Sequence, residues 1–351
     1  MLTPLEIQHF RTFGYVVLRG WLAEPEAASL AEEIDRALQD AYGPKLAERP
    51  HRGGVEGHRL PMMSAARTPL SLGLVTDDRF VGTAAQLLGR PALPTFAEAV
   101  LYFGEAGLHT DSGIPVSGVK FVTYTEPLEA RTGALRLLPG SHHRDFAGSV
   151  WTWNRAARGE GSAGLRSHLE HTPLVVAETR PGDVVAFDLF SFHASVYGSD
   201  RRQWSVSYLA DPATPDEAAA FREYADDGLE VPWPGWYDPS SYPHYDREWI
   251  ERGQPRRVIE RMRELGVFEA AGRVDRGGGH RTLKSRSPRG SSSATSTEVT
   301  SAKGVPSWHH VTMASTSASS PSNSASTLPS ERLRTNPPTP RRCAARRHAA
   351  R

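Results

Sequence analysis

Residues 180–209 read RPGDVVAFDLFSFHASVYGSDRRQWSVSYL. Arg180-Pro181-Gly182-Asp183 has the composition of a tight turn, and Gly198-Ser199-Asp200 repeats the signal eighteen residues later. Val184–Asp188 between them is β-rich, and Arg201-Arg202-Gln203-Trp204-Ser205-Val206-Ser207-Tyr208 reads as the returning strand. Side chains alternate across a strand. Arg201, Gln203, Ser205 and Ser207 therefore share a face polar enough to line a ligand cavity. Arg202, Trp204, Val206 and Tyr208 share the other, which is expected to pack outward. His193 lies between the two strands.

The same rhythm extends upstream. From Pro91 to Asp211, short β-rich runs recur at Ala97–Phe103, Val119–Thr125, Ala134–Leu138, Leu174–Thr179, Val184–Asp188 and Trp204–Leu209. Turns rather than helices separate them, which favours a sandwich or barrel over βαβ units. Val150–Leu169 breaks the pattern and is expected to be an inserted loop or lid. Trp151 and Trp153 in it, with Trp233 and Trp236 further on, are candidates for walls of a substrate pocket or for packing. Ahead of the β-rich part, Thr3-Pro4-Leu5-Glu6 spells a capping box with proline at the first helical position, and Gly14 is a natural stop. Tyr15–Leu18 then reads as a buried strand. Helices are expected over about Glu24–Tyr42 and Asp78–Leu88, and later over Thr214–Tyr224 and Arg256–Leu265.

The 351 residues are 38% hydrophobic and 23% charged, with a net charge of +1. That near-neutrality conceals a segregation. Residues 271–351 hold 14 Lys and Arg against 3 Asp and Glu, a net of +11; residues 1–270 hold 27 against 37, a net of −10. Between Ser291 and Ser330, 20 of 40 residues are Ser or Thr, too little apolar surface to offset the entropy of ordering. The chain is expected to divide into a folded domain over 1–270 and a basic, disordered tail over 271–351. The single cysteine, Cys343, falls in the tail, which suits a reducing cytoplasm. The sequence shows neither a secretory signal core nor a run of about 18 apolar residues, so no membrane partner is expected.

His109-Thr110-Asp111 and the distant His193 supply two imidazoles and a carboxylate. That is the ligand set of a facial triad, which leaves three positions of a non-haem iron open for oxygen chemistry. Arg201 or Arg202, just beyond, offers the planar fork that holds a carboxylate co-substrate; the face assignment favours Arg201. His142-His143 are adjacent, point to opposite faces and make a poor ligand pair, so a turn role is expected.

These pieces occur in the order found in a known family. LTPLEIQHFRTFGYVVLRG (residues 2–20), the His109-Thr110-Asp111 motif, TGALRLLPGSH (132–142), PGDVVAFD (181–188) and His193-Ala-Ser followed by Arg201-Arg202-Gln203-Trp204 together resemble the phytanoyl-CoA dioxygenase-like branch of the Fe(II)/2-oxoglutarate oxygenases. The resemblance covers roughly residues 1–212. It departs from the usual pattern in having Thr-Gly for Asn-Gly at 132–133 and a shorter interval from His193 to the arginine. It implies a mainly β chain with flanking helices, built on a double-stranded β-helix of the jelly-roll or cupin type. It implies Fe(II) held by His109, Asp111 and His193, and 2-oxoglutarate paired with Arg201 or Arg202. The reaction it implies is O₂-dependent oxidation of a small organic substrate, coupled to decarboxylation of 2-oxoglutarate to succinate and CO₂. Asp111 favours hydroxylation, because halogenating relatives lack this carboxylate. The family name does not license phytanoyl-CoA as substrate, since one fold carries many substrates. The competing reading from another class is a noncatalytic metal-binding β-barrel, its basic tail contacting an acidic partner or nucleic acid.

Overall fold

A computed structural model of the chain describes residues 1–49, 51–52, 55–157, 161–230 and 237–276. Contacts divide the chain into two units, Met1–Thr295 and Ser296–Arg351, and every described residue belongs to the first. Trp233, Trp236 and all of the tail beyond Arg276, with its expected disorder, lie outside the described residues.

The described elements run α1 (Pro4–Phe13), β1 (Tyr15–Leu18), α2 (Glu24–Tyr42), a 3₁₀ turn (Gly43–Ala47), β2 (His51–Arg52), β3 (Val55–Pro61), α3 (Pro69–Val75), α4 (Asp78–Leu88), β4 (Ala92–Tyr102), β5 (Ala106–His109), β6 (Gly118–Tyr124), β7 (Leu135–Leu137), α5 (Arg144–Ala157), α6 (Gly161–Glu170), β8 (Val175–Ala177), β9 (Val184–Asp188), β10 (His193–Ser195), β11 (Arg201–Ala210), α7 (Pro215–Glu230), α8 (Arg247–Arg252), α9 (Arg256–Glu264) and α10 (Val267–Arg276). The strands form two antiparallel sheets. The larger has the order β1-β9-β6-β11-β4-β3-β2, the smaller β5-β10-β7-β8.

The capping box of α1 is present: Glu6 N–H donates to the Thr3 hydroxyl, and the Thr3 N–H donates back to the Glu6 carboxylate. Gly14 ends the helix at φ +83°. A side chain there would collide with His142 and Ser191 at 2.5 Å, so both the dihedral and the space demand glycine.

The two faces of the larger sheet do different work, and β11 shows it best. Trp204, Val206 and Tyr208 are buried, but beneath helices rather than facing outward as the alternation alone led us to expect. Trp204 Nε1 donates to Ser71 Oγ (2.7 Å) and the Tyr208 hydroxyl to the Val75 carbonyl (2.9 Å), both on α3. Phe80 of α4 packs edge-on to Phe121 and Trp204, with ring centroids 5.5 and 5.6 Å apart. The apolar face of the sheet is thus the floor of the main core.

Helices hold 42% of the described residues and strands 23%, which corrects the expectation of a mainly β chain. Two regions account for the difference. The expected loop over Val150–Leu169 folds as α5 and α6, whose inner residues Val150 and Leu169 pack with Leu108, Leu138 and Phe192. The segment after β11 contributes four helices, α7–α10, and Ala271 of α10 is buried in the main core. No helix among the described residues is long and apolar enough to cross a membrane.

Trp204→Ala removes the largest side chain of this core and leaves Ser71 without its partner. It is expected to cost about 3–5 kcal/mol of stability, read from denaturant unfolding.

Candidate metal centre

The smaller sheet brings the two histidines together. In the antiparallel pairing of β5 with β10, His193 lies directly across from His109, and the imidazole centroids stand 4.3 Å apart. His193 is also paired with Leu137 on the opposite side, so it occupies a central strand. It opens the short strand β10 after the turn that follows β9. That turn is anchored: Phe192 N–H donates to Ser141 Oγ (2.8 Å), and the Ser191 hydroxyl donates to the Gly14 carbonyl (3.0 Å).

Asp111 does not share the strand of His109. The strand stops at His109, and Asp111 sits two residues beyond it in a bend. The bend is pinned because the Leu189 carbonyl accepts from both Asp111 N–H (3.1 Å) and Ser112 N–H (3.2 Å). Asp111 Oδ1 then lies 3.4 Å from His193 Nε2 and 3.9 Å from His109 Nε2. One donor atom from each of the three residues falls within a 4.8 Å cluster, the one such cluster among the described residues.

The tautomers follow from hydrogen bonding. His109 Nδ1 faces the Gly107 carbonyl at 2.7 Å and His193 Nδ1 faces the Ser191 carbonyl at 2.9 Å. A carbonyl only accepts, so each Nδ1 carries the proton and each Nε2 turns a lone pair toward Asp111. Burial, reinforced by the neighbouring His193, pushes the His109 imidazole down to about 4. Its side chain remains half exposed, at 46%. The neutral, ligating form therefore prevails near neutral pH. Burial opposes ionisation of Asp111, but the Lys120 ammonium 3.1 Å away outweighs it and holds the carboxyl well below the usual range. The set suits a divalent metal with two neutral nitrogens and one anionic oxygen.

Arg201 and Arg202 part company. Arg201 is 3% exposed and points into the space between the sheets. Its Nη1 donates to the Gly133 carbonyl (3.2 Å) and to Ser195 Oγ, its Nη2 to the Gly104 carbonyl (2.7 Å), and its Nε meets no acceptor among the described residues. Gly133, at φ +98°, lies so close that a side chain there would strike Arg201 Cδ at 2.4 Å. The Thr132-Gly133 pair is thus part of the arginine's seat. Arg202 faces the other way and pairs with Asp35 of α2 at 2.6 Å.

Three charged residues on the same inner face escaped the sequence reading. Lys120 of β6 reaches Asp111 Oδ2 (3.1 Å) and Glu98 Oε1 (3.7 Å), and Arg59 of β3 binds Glu98 Oε2. The available signal was a lone charge inside an otherwise apolar strand, as in Gly118-Val-Lys-Phe-Val and Thr95-Phe-Ala-Glu-Ala-Val. Asn154 of α5 also supports the site: its Nδ2 donates to the Leu108 carbonyl (3.0 Å) and its Oδ1 meets His168 Nε2 (2.8 Å), tying α5 and α6 to the strand that ends in His109. Trp151 and Trp153 are partly exposed and pack on Phe192 and His168. His142 contacts the Arg11 carbonyl (3.2 Å) and stacks on His143 at 4.0 Å, a turn role.

A two-sheet antiparallel fold with a His-Asp-His cluster opposite a buried arginine is the architecture that the family resemblance calls for. The family model described as phytanoyl-CoA dioxygenase (PhyH) matches residues 10–202, more than half of the chain, and the protein belongs to that family of iron- and 2-oxoglutarate-dependent oxygenases. Similar solved structures include the non-haem α-ketoglutarate-dependent epimerase SnoN from nogalamycin biosynthesis (19% identity over 59% of this chain and 82% of that one, TM-score 0.47). HygX from Streptomyces hygroscopicus with nickel and 2-oxoglutarate bound (18% identity, 62% and 94%, TM-score 0.47) is another. So is AviO1 from Streptomyces viridochromogenes Tue57 (22% identity, 61% and 99%, TM-score 0.46). No curated protein matches the chain.

Single replacements of His109, Asp111 and His193 by Ala are each expected to abolish Co(II) binding in titration calorimetry. Unchanged far-UV circular dichroism would show that the fold survives the loss.

Proposed function

We propose that the protein is an Fe(II)/2-oxoglutarate-dependent dioxygenase that hydroxylates, or otherwise oxidises, a small organic substrate. The observation that carries this reading is the cross-strand pairing of His109 with His193, both Nε2 lone pairs facing the Asp111 carboxylate. In this reading the three residues hold iron, and the two sheets are the walls of a double-stranded β-helix. Iron held there would supply the O₂ activation that is coupled to decarboxylation of 2-oxoglutarate to succinate and CO₂.

Arg201 is the residue we assign to the far carboxylate of 2-oxoglutarate. It is buried, fixed by the Gly133 and Gly104 carbonyls and, through Nη1, by the Ser195 hydroxyl, and its Nε meets no acceptor among the described residues. A guanidinium in that position gives a carboxylate two parallel donors, which an ammonium does not match. Arg202 is committed to Asp35 on the other face of the sheet. Asp111 occupies the position at which halogenating relatives need an open site for chloride, so hydroxylation is the favoured outcome. The oxygenase domain is taken to be residues 1–270, extended in practice to the end of α10 at Arg276, with the basic remainder as an appendage.

Anaerobic mixing with Fe(II) and 2-oxoglutarate is expected to give a weak visible charge-transfer band, and admission of oxygen should yield succinate. Absence of both would leave the noncatalytic metal-binding barrel as the better reading. Arg201→Lys is expected to weaken 2-oxoglutarate binding about 10- to 100-fold, the value of one to two charged hydrogen bonds. Arg202→Ala should leave that affinity unchanged, and the reverse result would transfer the role to Arg202.

A further inference from the structure

The two oxygens of Asp111 face different partners. Oδ1 looks toward the imidazoles, at 3.4 Å from His193 Nε2 and 3.9 Å from His109 Nε2. Oδ2 is buried and forms no well-aligned hydrogen bond, yet the Lys120 ammonium stands 3.1 Å away. Lys120 is itself enclosed on β6, between Phe187 of β9 and Ser207 of β11. Its other carboxylate neighbour is Glu98, at 3.7 Å; Glu98 in turn accepts from Ser205 (3.3 Å) and is paired with Arg59. Four charges of alternating sign, Asp111, Lys120, Glu98 and Arg59, thus cross the inner face of the sheet, each side chain no more than 16% exposed.

We infer that Lys120 is a positioning residue for the metal ligand: its ammonium is the resident counter-ion of Asp111, holding Oδ2 so that Oδ1 alone is presented to the metal. The inference rests on the reading of His109, Asp111 and His193 as a metal site. A buried carboxylate without a cation is costly, so the ammonium 3.1 Å from Oδ2 holds Asp111 in place when the site is empty. A carboxylate held by one oxygen occupies one coordination position instead of two, which keeps open the positions needed for co-substrate and oxygen. The same arrangement sets the ammonium against the metal, because two cations share one carboxylate. Glu98 moderates that competition by taking part of the ammonium's charge.

Opposite effects on metal affinity from the two charge-removing variants test this. In Lys120→Met, Asp111 is left without a cation until metal binds. Its metal-free form is expected to melt lower than wild type, Co(II) should raise its Tm by more than in wild type, and Co(II) affinity should rise several-fold in calorimetry. In Glu98→Gln the ammonium belongs to Asp111 alone, and Co(II) affinity should fall several-fold. Lys120→Arg keeps the charge and should bind Co(II) nearly as wild type does. The visible ligand-field spectrum of the Co(II) form should change in Lys120→Met, as Oδ2 becomes free to coordinate, and stay the same in Lys120→Arg. If Lys120 only props up the fold, both charge-removing variants will bind Co(II) more weakly or equally well, and the inference fails. Should Lys120→Met not fold, an affinity in Glu98→Gln equal to or above wild type overturns it just as well. A failure of the metal-site reading looks different: wild type would not bind Co(II), or Asp111→Ala would still bind it.

Discussion

The register between β5 and β10 is the constraint on which the rest of the site depends. Pairing places His193 opposite His109, and in an antiparallel ladder a slip of one residue turns every side chain to the other face. That register is held from three sides. Leu137 of β7 pairs with His193, the Ser141 hydroxyl and the Gly14 carbonyl fix the preceding turn, and the Leu189 carbonyl gathers the bend that carries Asp111. Each of these contacts joins segments far apart in the chain. The centre is therefore a product of the whole domain's packing and not of a local motif.

The larger sheet completes the site by keeping its faces chemically separate. One face carries Trp204, Val206 and Tyr208 into the helix-covered core; the other carries Arg201, Lys120, Glu98 and Arg59 into the space between the sheets. Placing charges in an interior is expensive unless each finds an opposite. Arg59, Glu98 and Lys120 do so in series, and the series ends on Asp111, whereas Arg201 rests on neutral acceptors. The apolar part of the inner face, with Val122, Val185 and Phe187 against Leu135 and Leu137, closes the remainder of the sandwich.

Much of this was legible in the sequence, for reasons that are local. The capping box at Thr3, the Gly14 stop and the turn at Pro181-Gly182 depend on neighbours in the chain, and the structure shows each of them where the sequence puts it. Alternation along β11 correctly split Arg201 from Arg202 because the period of a strand is a local property. It gave the wrong surroundings for Trp204, because what covers a face is decided by α3 and α4, more than a hundred residues away. Helices α5 and α6 were hidden by Gly159, Gly161 and Gly164, which lower helix propensity where burial of Val150 and Leu169 nonetheless stabilises them. Lys120, Glu98 and Arg59 were unreadable as a set, since only the strand order β6-β11-β4-β3 makes them neighbours.

The pairing of β1 with β9 has a further consequence, for the time course of folding. Tyr15 waits for Phe187, and the Gly14 carbonyl for Ser191, so β1 acquires its partner only after most of the domain has been made. Contacts of such long sequence separation close large loops and form late and slowly. During synthesis the amino-terminal strand must pass through a period with an open edge, the state in which β-rich chains are most prone to mispairing. The metal centre is assembled by these same long-range closures. If the proposed centre holds a metal, its retention marks the last stage of folding, which a chain that has merely collapsed has not reached.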